Sequence, residues 1–244
     1  MNPLIVLLGL LAGISIGTVG VGGVILVPVL TFALGYDLQT AIATSSFSFL
    51  FVGVSGTLSY ARRGTIPWRM VAWITVGIVP GAILGARANA STPTMLLTLA
   101  VASLLIFSGA NTLRNRAEEE SSDGSINVSQ MVFIGLVLGF GSSITGTGGP
   151  VILVPILLWL GMRTIIAIGA SQAIQIPIAL AATTGYLLYG NIDIGLGLSL
   201  GVSQAVGAML GAILAHRTPA SRLRTMVAVS LIVVGAYVGI RAVT

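Results

Sequence analysis

Apolar runs at about 3–35, 38–61, 66–88, 93–113, 131–161, 164–189, 194–216 and 219–241 alternate with short polar breaks. Most reach the roughly 20 residues that a helix needs to cross a bilayer, so the pattern predicts an all-α polytopic membrane protein. The first run lacks a charged leader and a small-residue cleavage site, and is expected to stay in the mature fold. Two runs carry a glycine-rich break: "GTVGVGGVILVP" at 17–28 and "TGTGGPVILVP" at 145–155.

These breaks belong to an internal repeat. A shift of 126 places Gly9 and Gly13 on Gly135 and Gly139, Ser45 on Ser171, Tyr60 on Tyr186, and Gly81 and Gly85 on Gly207 and Gly211. Around the glycine motif the shift becomes 127, pairing Thr18 with Thr145, Gly22 with Gly149 and Pro28 with Pro155. The expected units are residues 1–113 and 131–244, joined by the hydrophilic connector "RNRAEEESSDGSINVSQ" at 114–130, whose composition is that of a flexible linker.

Composition sharpens this picture. The 244 residues are 55% hydrophobic and 7% charged, with a mean hydropathy of +1.05, where a soluble domain carries charge on about a quarter of its positions. All eleven basic residues are arginine. In a polytopic membrane protein such an excess orients loops, and nucleic-acid binding is not expected. With no cysteine, disulfides and thiolate metal sites are excluded.

The arginines also discriminate between topologies. If 3–35 and 131–161 each cross once, they divide six (62, 63, 69, 114, 116, 241) against five (87, 163, 217, 222, 224), with no bias. If each glycine-broken run enters and returns as a hairpin, nine (62, 63, 69, 114, 116, 163, 217, 222, 224) face two (87, 241), as the positive-inside rule requires. Each half is then a glycine-broken helical hairpin plus three transmembrane helices, an odd parity, so the two repeats have inverted topology. Both termini are expected outside and the linker in the cytoplasm. The count leaves open whether the hairpin arms are re-entrant or tilted full spans.

Irregular backbone at membrane depth is tolerated only where it is buried in protein or lines a wet cavity. A helix restarting at each break would direct free N–H groups at the turn, which suits a small anion. Thr18, Gly20, Gly22 and Gly23, with Thr145, Gly148 and Gly149, are the candidate donors on this reading. Close packing of small residues is the competing use of such glycines. The ladders Gly77/Gly81/Gly85 and Ser203/Gly207/Gly211 have that spacing without a break and are assigned to packing. A second polar cluster, "ATSSFSF" at 43–49 and "GASQAIQI" at 169–175, adds Thr44, Ser45, Ser46, Ser171, Gln172 and Gln175. Serine and threonine in membrane helices often bond back to their own helix, whereas an amide in lipid needs a partner.

All six carboxylates fall in loops or the linker, and His216, the one histidine, is placed in a turn beside Arg217. Neither an intramembrane proton relay nor the paired acids of a membrane-embedded hydrolase is available, so no catalytic residue, metal or cofactor is expected.

The paired motifs, each followed by a Ser/Thr-rich element ("ATSSFS", "GASQA"), resemble those of the sulfite exporter TauE/SafE family, and the likeness spans nearly the whole chain. The resemblance implies a permease of the cytoplasmic membrane for a small sulfur oxyanion or organosulfonate such as sulfite, thiosulfate or sulfoacetate. It leaves substrate and direction open. Pro150 stands where the first motif has Gly23, so the two sides of the site need not be equivalent. The expected function is a secondary transporter working by alternating access, with a small anion and the bilayer as partners and homo-oligomerisation left open. A passive anion channel and a non-transporting assembly or scaffold protein are the alternatives.

Overall fold

A computed structural model describes residues 3–20, 22–88, 95, 99, 102–103, 105–107, 109–110, 113, 127–189 and 192–243. Nine helices have defined bounds among them. The first half contributes α1 (Pro3–Val19), α2 (Gly23–Pro28) continued by a π-helical turn (Val29–Ala33), α3 (Leu38–Ala61) and α4 (Trp68–Ala88). The second contributes α5 (Val128–Thr145), α6 (Pro150–Trp159), α7 (Thr164–Tyr189), α8 (Ile194–Arg217) and α9 (Ala220–Val243). Most of the expected run 93–113 and of the linker lies outside the described residues. The linker was expected to reach 130, but α5 already starts at Val128. The Gln130 side chain accepts from Asn127 N at 3.1 Å, which draws those polar residues into the first helical turn.

Among the described residues, four helices are long and apolar enough to cross a bilayer: Gln39–Ala61, Trp68–Ala88, Thr164–Leu188 and Ile194–Arg217. Asp37 and Asp193 start α3 and α8 at the polar boundary by capping: Asp37 Oδ2 accepts from Thr40 N at 2.8 Å and Asp193 Oδ1 from Leu196 N at 2.9 Å. The arms of each glycine hairpin are unequal. α1 and α5 have 17 and 18 residues, whereas α6 has 10. At 1.5 Å per residue α6 is about 15 Å long, half of a hydrocarbon core of about 30 Å.

The glycine ladders set the packing. α1 lies on α8 with Gly13 against Gln204 and Gly17 against Ala208, where added Cβ atoms would lie only 2.8 Å from the partner's Cα. α4 lies on α5 in the same manner, Gly81 against Leu136 and Gly85 against Phe140. The ladders assigned to packing therefore pack, and each joins helices from different sequence halves.

Contact order along these pairs fixes helix direction. Gly9, Gly13 and Gly17 meet successively later residues of α8, and Gly77, Gly81 and Gly85 successively later residues of α5, so both pairs are parallel. α3 is parallel to α8, with Phe47 at Gly197 and Phe51 at Gly201; Thr65 at Gly169 and Ala86 at Gly185 set α7 parallel to α4. α3 and α7 cross antiparallel, Gly53 meeting Ile176 and Gly56 meeting Gln172. Thus α1, α3 and α8 run one way and α4, α5 and α7 the other.

Candidate functional site

One glycine of each motif ends a helix. Gly20 (φ 76°) and Gly146 (φ 63°) adopt the left-handed conformation, and their N–H groups bond to Ile16 O and Ser142 O at 2.9 Å. Such a terminal residue is commonly glycine because a Cβ is penalised there. The chain then reverses, into α2 in one half and into α6, with Pro150 as its first residue, in the other.

The two reversals come together. A Cβ on Gly23 would lie 2.9 Å from Thr147 O, and one on Gly20 would lie 2.8 Å from Val154 Cγ2, 3.8 Å from Pro150 Cβ and 3.5 Å from Ser171 Oγ. Between them stands Phe49, in the middle of α3, whose ring lies 2.7 Å from the Cβ position of Gly23 and 2.8 Å from that of Gly148. Gly22 instead turns back onto α1, against Ala12 O and Ser15, and Gly149 packs on Ile174 and Ile178 of α7. The junction therefore gathers Gly20, Gly23, Gly148 and Ser171, whereas Gly22 and Gly149 hold their segments onto neighbouring helices.

The polar side chains divide similarly. Thr18 Oγ1 faces α8, bonding to Ile14 O at 2.7 Å and Gly211 O at 3.2 Å. Thr44 Oγ1 accepts from Asp193 N at 3.0 Å, away from the junction at the start of α3. Ser46 and Ser171 bond back to Ile42 O and Ile168 O at 2.8 and 2.7 Å. The side chain of Thr145 lies outside the described residues. Ser45 Oγ, Gln172 Oε1 and Gln175 Oε1 are buried without a partner. The Gln172 orientation is fixed, because its Nε2 donates to Ile16 O at 3.0 Å and a carbonyl can only accept. Buried amide oxygens in this state are rare and costly. Among the described residues no group of three or more His, Asp or Glu could hold a metal.

Several residues of this region escaped the sequence reading. Phe49 occupies the position that the repeat shift pairs with Gln175, and an aromatic in an apolar run gives no signal. Gln204 of α8 is fully buried, its Oε1 3.4 Å from Ser48 Oγ and its Nε2 without a partner; an amide in an apolar run was the clue available. His216, expected in a solvated turn, sits half-buried in the last turn of α8. Its ring lies 4.7 Å from that of Tyr60, and its Nδ1 lies 3.0 Å from Arg63 Nη1 and 2.7 Å from Ala212 O.

Tyr60 and Tyr186, seen in the sequence only as repeat markers, anchor the helices that lead into the two reversals. Tyr60 Oη donates to Gly17 O at 2.7 Å, and Tyr186 Oη donates to Ser143 O. Both carbonyls lie in the last helical turn, where intrahelical donors run out. Tyr60→Phe and Tyr186→Phe are each expected to destabilise the protein by about 1 kcal/mol or somewhat more. Their effects should add, since the anchors share no partner; thermal unfolding of the single and double variants in detergent measures this.

The profile of the family described as sulfite exporter TauE/SafE matches residues 5–238. The chain is 26% identical to the probable membrane transporter protein YdhB of Bacillus subtilis (strain 168), covering 92% of this chain and 94% of that one. A probable membrane transporter protein of Xylella fastidiosa (strain 9a5c) is 30% identical, with 94% and 92% covered. MJ0441 of Methanocaldococcus jannaschii, likewise named a probable membrane transporter protein, is 25% identical, with 96% and 94% covered. No solved structure matches the chain. Four bilayer-length apolar helices and a family match over nearly the whole length agree, and the chain belongs to the TauE/SafE sulfite exporter family of membrane transporters.

Proposed function

We propose that the protein is a secondary transporter that moves a small anion, a sulfur oxyanion or organosulfonate, across the cytoplasmic membrane by alternating access. The observation that carries this reading is the junction itself. Glycine reversals from both halves meet at the middle of α3 beside Ser171, and the crossing helices present buried, unpartnered polar groups on Ser45, Gln172 and Gln175. Irregular backbone and unpaired amides at membrane depth are costly, and a polar ligand is what offsets that cost. An anion needs donors, so on this reading the Ser45 hydroxyl and the Gln175 amide N–H contact it, uncharged and therefore able to release it on the other side, while the bare Gln172 and Gln175 Oε1 atoms, which only accept, take water or a protonated ligand oxygen. The substrate class rests on the family, and the junction is the place proposed for it.

Two repeats of inverted topology, 1–113 and 131–244 with 114–130 between them, account for the helix directions. Each pair equated by the repeat shift, α1 with α5, α3 with α7 and α4 with α8, runs in opposite senses. The ends of α3 and α8, with Arg62, Arg63 and Arg217, lie on the face where α7 begins beside Arg163, which favours placing that face and the linker in the cytoplasm.

The test is exchange in proteoliposomes loaded with one anion and presented with labelled sulfite, thiosulfate, small sulfonates or, for comparison, carboxylates. Saturable exchange of a sulfur anion is expected. Gln175→Leu should lower it by about tenfold or more, the worth of a hydrogen bond to a charged ligand, while the unfolding temperature holds. Conductance far above carrier turnover would replace the carrier with a channel. Absence of flux from folded protein would sink the transport reading and point to a scaffold.

A further inference from the structure

Alternating access within inverted repeats is usually pictured as one repeat rocking against the other. The packing of this chain opposes that picture. α1 belongs to the first half and α8 to the second, yet they touch backbone to backbone over about three helical turns. Added Cβ atoms at Gly13 and Gly17 would lie 2.8 Å from Gln204 Cα and Ala208 Cα, and one at Gly211 would lie 2.9 Å from Thr18 N. Thr18 Oγ1 bonds across the same interface to Gly211 O. α4 and α5 repeat the arrangement, with Gly85 3.0 Å from Phe140 Cα and Gly139 2.7 Å from Ala82 N. Separating the halves would open the two closest interfaces among the described helices, and close-packed interiors do not deform continuously.

α3 attaches to the first of these pairs. Phe47 and Phe51 fill the grooves at Gly197 and Gly201, Asp193 N bonds to Thr44 Oγ1, and Arg63 Nη1 donates to Ala212 O at 3.0 Å. α7 attaches to the second, through Gly185 on Ala86 and through the Tyr186 bond to Ser143 O. α3 crosses α7 antiparallel, with Ile176 Cγ1 and N each 3.0 Å from the Cβ position of Gly53, the Gln172 side chain at Gly56 and the Tyr60 ring at Gly169. This seam holds the unpartnered Gln172 Oε1 and Gln175 Oε1, and the glycine reversals cross it.

We propose that the moving bodies are the two parallel groups, α1/α3/α8 and α4/α5/α7, each assembled from both sequence halves, and that they shift against each other along the α3–α7 seam. Gln172 is a positioning residue in this scheme: its amide ties α7 to Ile16 O at the end of α1 and holds the seam closed on the arginine-rich side. The inference rests on the transport reading for its purpose and on packing for its content.

The chain has no cysteine, so paired cysteines report cleanly. Gly9→Cys with Ser203→Cys joins α1 to α8; the Cβ atoms would be 3.1 Å apart, near the spacing of about 3.5–4.5 Å found in disulfides. Gly53→Cys with Ile176→Cys joins α3 to α7. In proteoliposomes the first disulfide is expected to leave exchange within about twofold of the reduced protein. The second should stop it until reductant is added. Loss of exchange with the first disulfide would overturn the proposal, because rocking halves require it. Should wild-type protein carry no tested anion, the transport reading fails, and spin labels still decide the moving bodies. Labels at the exposed positions Leu7 and Val206 should give one narrow distance, and labels at Val54 and Leu180 two. In the second pair, Gln172→Leu should raise the longer distance. A broad distance at 7/206, or a single one at 54/180, would also overturn it.

Discussion

Replacing Gly13 by leucine is expected to eliminate folded protein. A Cβ alone would lie 2.8 Å from the Cα and carbonyl carbon of Gln204, and these are backbone atoms of α8 that cannot rotate aside. α1 and α8 would have to part along their length, breaking the contacts at Gly9, Gly17, Gly207 and Gly211 together. Overpacking by a methylene group or two into a core that can relax costs about 1–3 kcal/mol, and here the relaxation is blocked. Gly139→Leu, at the equivalent place between α5 and α4, should fail equally, since its Cβ would lie 2.7 Å from Ala82 N. Gly195→Ala is the matched control; its nearest neighbour would be Asp193 Oδ1 at 3.5 Å, an ordinary contact. Fluorescence-detected size exclusion after membrane extraction reads all three. A monodisperse Gly13→Leu peak at wild-type yield would show that the α1–α8 interface is far looser than its geometry.

The repeated ladders were legible as packing surfaces because small residues four apart lie on one helix face. Their partners were not. A periodicity states which face packs, and the pairing of α1 with α8 and of α4 with α5 is a property of the assembled bundle. The extents of α3 and α7 could be read directly, since apolar length and the polar breaks at Asp37 and Gly190 bound them. The glycine motif was legible as a break in the helix. What its individual glycines do was not, because spacing cannot separate the helix terminus at Gly20 from Gly22, which packs on α1, or from Gly149, which packs on α7 and itself has a φ of 68°. Bulky substitutions at those two sites would strain packing before they reached a ligand. His216 illustrates the same limit: its neighbours in sequence suggest a turn, while Tyr60 and Arg63, which surround it, are distant in sequence.

Phe49→Ala should have the largest effect on the junction. The ring is almost fully buried and fills the space between Gly23 and Gly148, so its loss opens a cavity where the two reversals meet. Truncating a buried phenylalanine costs about 3–5 kcal/mol. Gly23 and Gly148, which face the ring, have no side chains to collapse into the gap, which places this site toward the upper end. Exchange in proteoliposomes should fall below detection, and the unfolding temperature should drop with it. Phe49→Leu separates the two contributions. It retains most of the volume, at a cost of about 1.5 kcal/mol or less, but lacks the flat ring that touches both glycines at once. If leucine restores stability and leaves exchange depressed, the ring holds the two reversals in register; if it restores both, filling the space is all that the position requires. Phe49→Gln reproduces the residue that the other half carries at 175 and would bring a further amide to the seam. That variant should fold less stably than Phe49→Leu despite its similar size, because an added buried amide brings two donors and an acceptor to an apolar position and each must find a partner or be stranded. An equal or higher unfolding temperature for the glutamine variant would show that water or substrate already reaches this depth, and that the seam is wet rather than dry.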